Sequence, residues 1–386
     1  MIEQVAYRVG EIKPFYAMAL LARAKELEAQ GRRIIHMEIG EPDFVTPQPI
    51  IEAGIAALRS GQVYYTPSSG LPALREAIAN WYSMSAGIQI SPDRIIVTPG
   101  ASGASLLAMA ALLNPRDTIL MADPGYPCNR YLARILEGNP VGIPMTAKNA
   151  YQFTADHIES YWSSITKAVL VASPANPTGA ILCQATLDAL INSVESRGGA
   201  LVVDETYGGL VYESESITAL TLSDQVFVIN SFSKYFGMTG WRLGWLVVPD
   251  NFIQVADKLA QNLFLAASTP AQYAALAAFR PETIQILEER RMAFQQRRDF
   301  LLSKLQVLGF YVPAIPQGAF YIYADCSKFS VNSMAFSQNL LENVGVAVTP
   351  GLDFGCNDPH RYIRFAYTTS MERLQEGIER LQTYLS

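Results

Sequence analysis

A chain of 386 residues exceeds the size at which one core keeps growing, so two unequal domains are expected. Half of its residues are hydrophobic and 17% are charged, a balance that excludes a disordered or fibrous chain. The net charge is −6 and the basic residues are scattered, which excludes the footprint of a nucleic-acid binder and obliges any anionic cofactor to find a local basic site.

The first ten residues carry charges and no apolar run, so neither a secretory leader nor an anchor is expected. Apolar stretches such as 101–113 are too short to span a bilayer, and the expected address is the cytoplasm, with no membrane partner. Cys128, Cys183, Cys326 and Cys356 lie far apart without a CxxC pair. They read as reduced, mostly buried thiols, with no disulfide framework and no metal site.

In chain order, the pattern predicts a helix over 17–30, stopped at Gly31 and packed on the smaller domain. Between about 94 and 250, short β-rich runs alternate with helical patterns, the signature of βαβ units around a largely parallel sheet. The predicted strands are 95–98, 118–122, 168–173, 201–204, 226–231 and 243–248. Several are apolar on both faces, as strands covered by helices on both sides must be. After Pro270 the reading is one long helical stretch over 271–305, a strand over 319–324, and helices from about Ser333 and Ser370. The expected division is a large domain over 46–275 and a smaller α+β domain made of 1–45 and 276–386. No internal repeat or linker tract interrupts it.

Ligands of such sheets sit beyond the carboxyl ends of the strands, so the polar residues there matter most. Segment 231–244, Ser-Phe-Ser-Lys-Tyr-Phe-Gly-Met-Thr-Gly-Trp-Arg-Leu-Gly, follows a predicted strand. A lone loop lysine is ordinarily a solvated surface residue. Held at a strand end among Phe232, Tyr235 and Phe236, Lys234 loses its proton more readily and becomes a candidate Schiff-base nucleophile. Ser231, Ser233 and Arg242 offer phosphate ligands beside it. Asp204 ends another strand, where a buried aspartate needs a cationic partner. Thr98-Pro-Gly-Ala-Ser-Gly103 joins a strand to a helix beginning near Ala101, whose free N–H groups suit a phosphate. Segment 173–179, Ser-Pro-Ala-Asn-Pro-Thr-Gly, is a proline-rigid turn that holds the Asn176 amide outward.

Position for position, the lysine segment resembles the cofactor-lysine signature of the class I/II aminotransferases, in the fold type I family dependent on pyridoxal 5′-phosphate (PLP). The resemblance carries Ser-x-Ser-Lys, a glycine three residues later and Arg-x-Gly from the eighth, and similar segments run from about Gly40 to Arg364. It implies an α/β fold with a mostly parallel large-domain sheet and a smaller α+β domain. It implies that Lys234 carries PLP as an internal aldimine, that Asp204 pairs with the ring nitrogen, and that Asn176 and Tyr207 bind the ring oxygen. Ala101 and Ser102 take the family's phosphate positions, although Gly103 stands where many relatives have glutamine or glutamate. Tyr126, in Asp-Pro-Gly-Tyr-Pro, takes the position of a ring stacked on the cofactor, where some aspartate-type relatives carry tryptophan. Tyr64 resembles the residue that reaches a neighbouring subunit's phosphate, which implies a homodimer with shared active sites. Gly40, in Gly-Glu-Pro-Asp-Phe, and Arg364 resemble the substrate contacts, with Arg364 suited to a bidentate carboxylate pair. Strand alternation puts Arg361 and Arg364 on opposite faces.

The implied function is transfer of an amino group between an L-amino acid and a 2-oxo acid by a ping-pong course. A C–S β-lyase shares these motifs, and a non-catalytic PLP-binding regulatory module is the alternative of another class. A nicotinamide dehydrogenase is disfavoured by the lack of a G-x-G-x-x-G after the first strand. Lys13, Phe15, Tyr16 and Phe264 are candidates for reading the substrate side chain, and aspartate, alanine, aromatic and branched-chain donors stay open.

Overall fold

The computed structural model describes residues 5–386. Its strands are β1 (Ile35–Met37), β2 (Ile95–Thr98), β3 (Thr118–Asp123), β4 (Asn139–Pro144), β5 (Thr166–Ala172), β6 (Ala200–Asp204), β7 (Phe227–Ser231), β8 (Gly244–Val247), β9 (Tyr321–Asp325), β10 (Val346–Pro350) and β11 (Tyr362–Ala366). The helices used below are α1 (Tyr16–Ala29), α2 (Pro72–Ala86), α3 (Gly100–Leu112), α4 (Pro127–Ile135), α5 (Ile253–Leu263), α6 (Thr269–Ala275), α7 (Pro281–Leu308) and α8 (Met371–Leu385).

Seven strands form one sheet in the order β2-β8-β7-β6-β5-β3-β4. All neighbours run parallel except β8, which is antiparallel to both β2 and β7. Alternate side chains feed two different cores. Val97, Leu120, Val169, Val203, Val228 and Trp245 point to the face that carries α2 and the start of α7. Ile96, Ile119, Leu170, Val202, Ile229 and Leu246 point to the face that carries α3 and α5. Burial on both faces is why these strands read as unbroken apolar runs.

A second sheet, β1-β10-β11-β9, packs its core against α7 and α8. Helix α1 lies on β10 through Leu20, Ala24, Leu27 and Ala347, and its chain turns away at Gly31 with φ of +86°. None of the helices is long and apolar enough to cross a membrane among the described residues.

Three expectations are corrected. The stretch 271–305 is two helices, because Pro281 opens α7 and the residue before it, Arg280, is extended at ψ 144°. Arg361 is not on a strand: it ends a 3₁₀ turn before β11, is exposed, and pairs with Asp325 at 2.7 Å. All four thiols are free, but Cys183 and Cys356 are exposed rather than buried.

Candidate active site

The carboxyl ends of β3, β5, β6 and β7 open into a cavity of about 580 Å³ between the two sheets, within the range of small-molecule sites. Lys234 enters it from the turn after β7. Phe232 and Phe236 are buried beneath this turn, so the chain must turn the lysine toward the cavity. Its Nζ donates to the carbonyl oxygen of Gly40 at 2.7 Å. Its pKa is pushed down to about 8, first by burial and then by the nearby Arg364 and Arg242 guanidinium groups, against the opposing pull of Glu41 and Asp204.

Asp204 stands at the end of β6 with one carboxylate oxygen accepting the Thr206 N–H at 3.0 Å. Desolvation raises its pKa, and it has no ion pair within 4.0 Å among the described residues. Its neighbour Glu205 obeys strand alternation and points through the other face. There it lines a separate cavity of about 1010 Å³ with Trp81, Tyr82 and Phe279. Burial raises the Glu205 pKa to about 8, and Oε1 accepts the Ala219 N–H at 2.8 Å.

Asn176 is buried on the turn after β5, which closes through Gly179 N–H to Ala175 O at 2.7 Å. Gly179 has φ of +68°, and a Cβ there would lie 2.5 Å from Pro316 Cβ, so the turn admits only glycine. Asn176 Oδ1 accepts from Arg364 Nη1 at 2.9 Å, linking the two sheets. Arg364 Nη2 donates to Glu38 O at 2.6 Å, the guanidinium lies 4.2 Å over the Tyr321 ring, and its buried Nε has no partner. A buried unpaired donor is costly, so this arginine is built to receive an acceptor.

Tyr126 caps α4 and meets Phe15 edge-on at 6.4 Å. Tyr207 Oη and Tyr321 Oη are 2.8 Å apart, and burial holds the Tyr207 hydroxyl well above its usual pKa. The helix after β2 begins at Gly100, so Ala101 and Ser102 present its first turn to the cavity. Arg242 approaches this helix start so closely that a Cβ on Gly100 would lie 2.6 Å from its Nη2. Gly244 is equally constrained, since a Cβ there would lie 2.7 Å from the Gly100 carbonyl carbon. Ser231 and Ser233 are buried below, joined by Ser233 N–H to Ser231 Oγ at 3.0 Å.

Every expected site residue except Tyr64 lines this one cavity. Tyr64 is 83% exposed and lies outside it, on a loop pinned by Thr269 Oγ1 to Tyr64 O at 2.6 Å. Of the four side-chain readers suggested by sequence, Phe15 lines the cavity, whereas Lys13, Tyr16 and Phe264 do not. Missed were Tyr321, Met18, Leu21, Cys128 and Leu132. Tyr321 is visible only as one apolar position of a strand, and the others as ordinary helix residues.

The residues fit pyridoxal phosphate. Lys234 supplies an amine for an aldehyde, the start of α3 with Arg242 and two serines supplies an anion cradle, and Asp204 is a desolvated carboxyl in want of a cation. Fold and site together define an α/β protein whose cavity suits an anionic aldehyde cofactor.

Comparison with known proteins specifies the class. The family described as aminotransferase class I and II matches residues 32–381. The valine–pyruvate aminotransferase of Mycobacterium tuberculosis is 36% identical over 387 residues, covering 100% of this chain and 99% of its own. The aspartate aminotransferase of Geobacillus stearothermophilus is 33% identical over 392 residues, covering 99% of each. The crystal structure of an aminotransferase from Mycobacterium tuberculosis matches with a TM-score of 0.96 at 36% identity over 99% of each chain. That of the aspartate aminotransferase from Thermus thermophilus matches with a TM-score of 0.93 at 32% identity, over 99% of this chain and 100% of that one. The chain belongs to the class I and II aminotransferases, and it is a PLP-dependent transaminase of fold type I.

Proposed function

We propose that Lys234 is the catalytic lysine of this transaminase and that the cavity between the sheets holds both cofactor and substrate. The observation that carries this reading is the meeting of three groups in one cavity: the Lys234 amine with a pKa near 8, the ion-pair-free Asp204 and the guanidinium of Arg364. PLP, when bound, supplies an electron-withdrawing ring that stabilises negative charge at the substrate Cα.

In this reading Asp204 keeps the ring nitrogen protonated, Asn176 and Tyr207 donate to the ring oxygen, and Tyr126 packs on the ring face. Ala101, Ser102, Ser231, Ser233 and Arg242 hold the phosphate. Arg364 receives the substrate α-carboxylate beside Asn176, while the backbone of Gly40 bounds the substrate. Lys234, once its amine is free and neutral, takes the proton from the substrate Cα and hands it on. Its depressed pKa supports this role, because a base near neutrality is available at working pH.

A homodimer belongs to the same proposal. It is supported by Tyr64, which is exposed on a loop pinned by Thr269 at the Tyr64 carbonyl and by Gln272 at the Thr66 hydroxyl, and has no place in its own cavity. Mixing a Lys234 variant with a Tyr64 variant should restore activity above either parent if sites are shared. We also place the chain in the cytoplasm, supported by four free thiols, two of them exposed. The division into 46–275 and 1–45 with 276–386 is supported by the separate cores of the two sheets.

The deciding experiment is to load the protein with PLP and add single amino acids without an oxo acid. Bleaching of the visible band with formation of pyridoxamine phosphate is the expected result. Release of pyruvate and ammonia without an acceptor would instead indicate a β-lyase.

A further inference from the structure

Beside Tyr126 the cavity has an apolar wall. Phe15, Met18 and Leu21 come from α1 and its lead-in, and Cys128 and Leu132 from α4. The α1 side of the wall is fixed in place: the Tyr16 and Ala17 N–H groups donate to the Asp353 carboxylate at 2.7 and 2.8 Å, capping α1 from the 3₁₀ turn that follows β10. It is therefore tied to the same sheet that carries Arg364.

Among the described residues, the cations lining this cavity are Lys234, Arg242 and Arg364. In the preceding assignment, on which this inference rests, all three are engaged: one with the cofactor aldehyde, one with its phosphate, one with the substrate α-carboxylate. Of the acidic liners, Asp204 is engaged with the ring nitrogen in that assignment, which leaves Glu41. A second substrate carboxylate would meet an apolar wall and the Glu41 carboxylate, with no cation left to pair with. Burying an uncompensated carboxylate is far more costly than leaving apolar surface unfilled.

We propose that this enzyme accepts amino donors with neutral, apolar side chains in preference to dicarboxylic ones, and that Phe15, Met18 and Leu132 are the specificity-determining residues.

The test uses the PLP-loaded enzyme and follows bleaching of its visible band at varied concentrations of leucine, phenylalanine, aspartate and glutamate, each alone. The expected result is a rate per unit concentration at least ~100-fold higher for leucine or phenylalanine than for aspartate or glutamate. Leu132→Lys should raise the aspartate rate and lower the leucine rate, shifting their ratio at least ~10-fold; an unchanged ratio in a folded, cofactor-loaded variant overturns the assignment of the wall. If the variant does not fold, the donor series on the unmodified enzyme decides alone. Aspartate or glutamate reacting as fast as leucine overturns the proposal, including the case in which a second copy lends a cation. Bleaching by no amino acid overturns the assignment of the site as well, so the two failures are told apart.

Discussion

The Nζ of Lys234 and the carbonyl oxygen of Gly40, 2.7 Å apart, join residues 194 positions distant in the chain across the seam between the two sheets. Lys234 follows β7 of the larger sheet and Gly40 follows β1 of the smaller. The Lys234 amine is thus held by both halves of the molecule.

Lys234→Ala is expected to abolish transamination while leaving the circular dichroism spectrum unchanged. A side chain whose amine is desolvated contributes little stability, so the thermal midpoint should hold or rise slightly. Normal turnover by this variant would refute the assignment.

The pKa of about 8 has a definite signature. The neutral amine is the nucleophile, and its fraction grows as pH rises through that value. Below pH 8 the rate of covalent capture of added PLP should rise about tenfold per pH unit and then level. An ordinary lysine would keep accelerating toward its usual pKa above 10. The sign for stability follows: between about pH 8 and the unfolded value the unfolded chain binds more protons, so the cofactor-free fold gains stability with rising pH. Stopped-flow absorbance and pH-dependent denaturant melts check both.

Asp204→Ala should lower turnover by about 10²- to 10⁴-fold if, as proposed, its carboxylate holds the proton on the ring nitrogen. Steady-state kinetics with retained cofactor absorbance is the check. Near-normal rates would mean another group serves the ring nitrogen.

Arg364→Ala should weaken substrate capture and show mainly in the KM for the amino acid. It also leaves Asn176 Oδ1 and Glu38 O without their donor, so a stability loss of about 1–3 kcal/mol is expected alongside. Arg364→Lys should not rescue KM fully, since an ammonium cannot reproduce the fork.

Gly40→Ala would drive a Cβ into the Tyr321 hydroxyl. A loss of about 1–3 kcal/mol is expected, with slower PLP capture as the Lys234 contact shifts. Tyr321→Phe in the same chain should recover part of it, and a double-mutant cycle by thermal denaturation measures the coupling.

Much of this was legible in the sequence because the parallel strands are apolar on both faces and the reactive residues fall at their ends. Strand β4, Asn-Pro-Val-Gly-Ile-Pro, was not, since two prolines and a glycine are tolerated only at a sheet edge, where it lies. Strands β1 and β10 escaped for another reason: they are short and are completed by each other from opposite ends of the chain. The apolar wall of the cavity was hidden because helix residues such as Met18 and Leu132 look the same whether they face a core or a ligand. Arg361 misled through alternation, which holds only inside a strand, and the strand begins one residue later.

Asp204 and Glu205 are adjacent acids that look in opposite directions from the end of β6. A slip of β6 by one residue against β5 and β7 would exchange them, placing a longer carboxyl in the catalytic cavity and the shorter one among Trp81, Tyr82 and Phe279. The electronics of the reaction therefore depend on strand register as much as on residue identity. An insertion in the turn at 196–199 can be absorbed as loop. A single deletion inside 200–203 would leave both acids in the sequence and turn each toward the wrong face of the sheet.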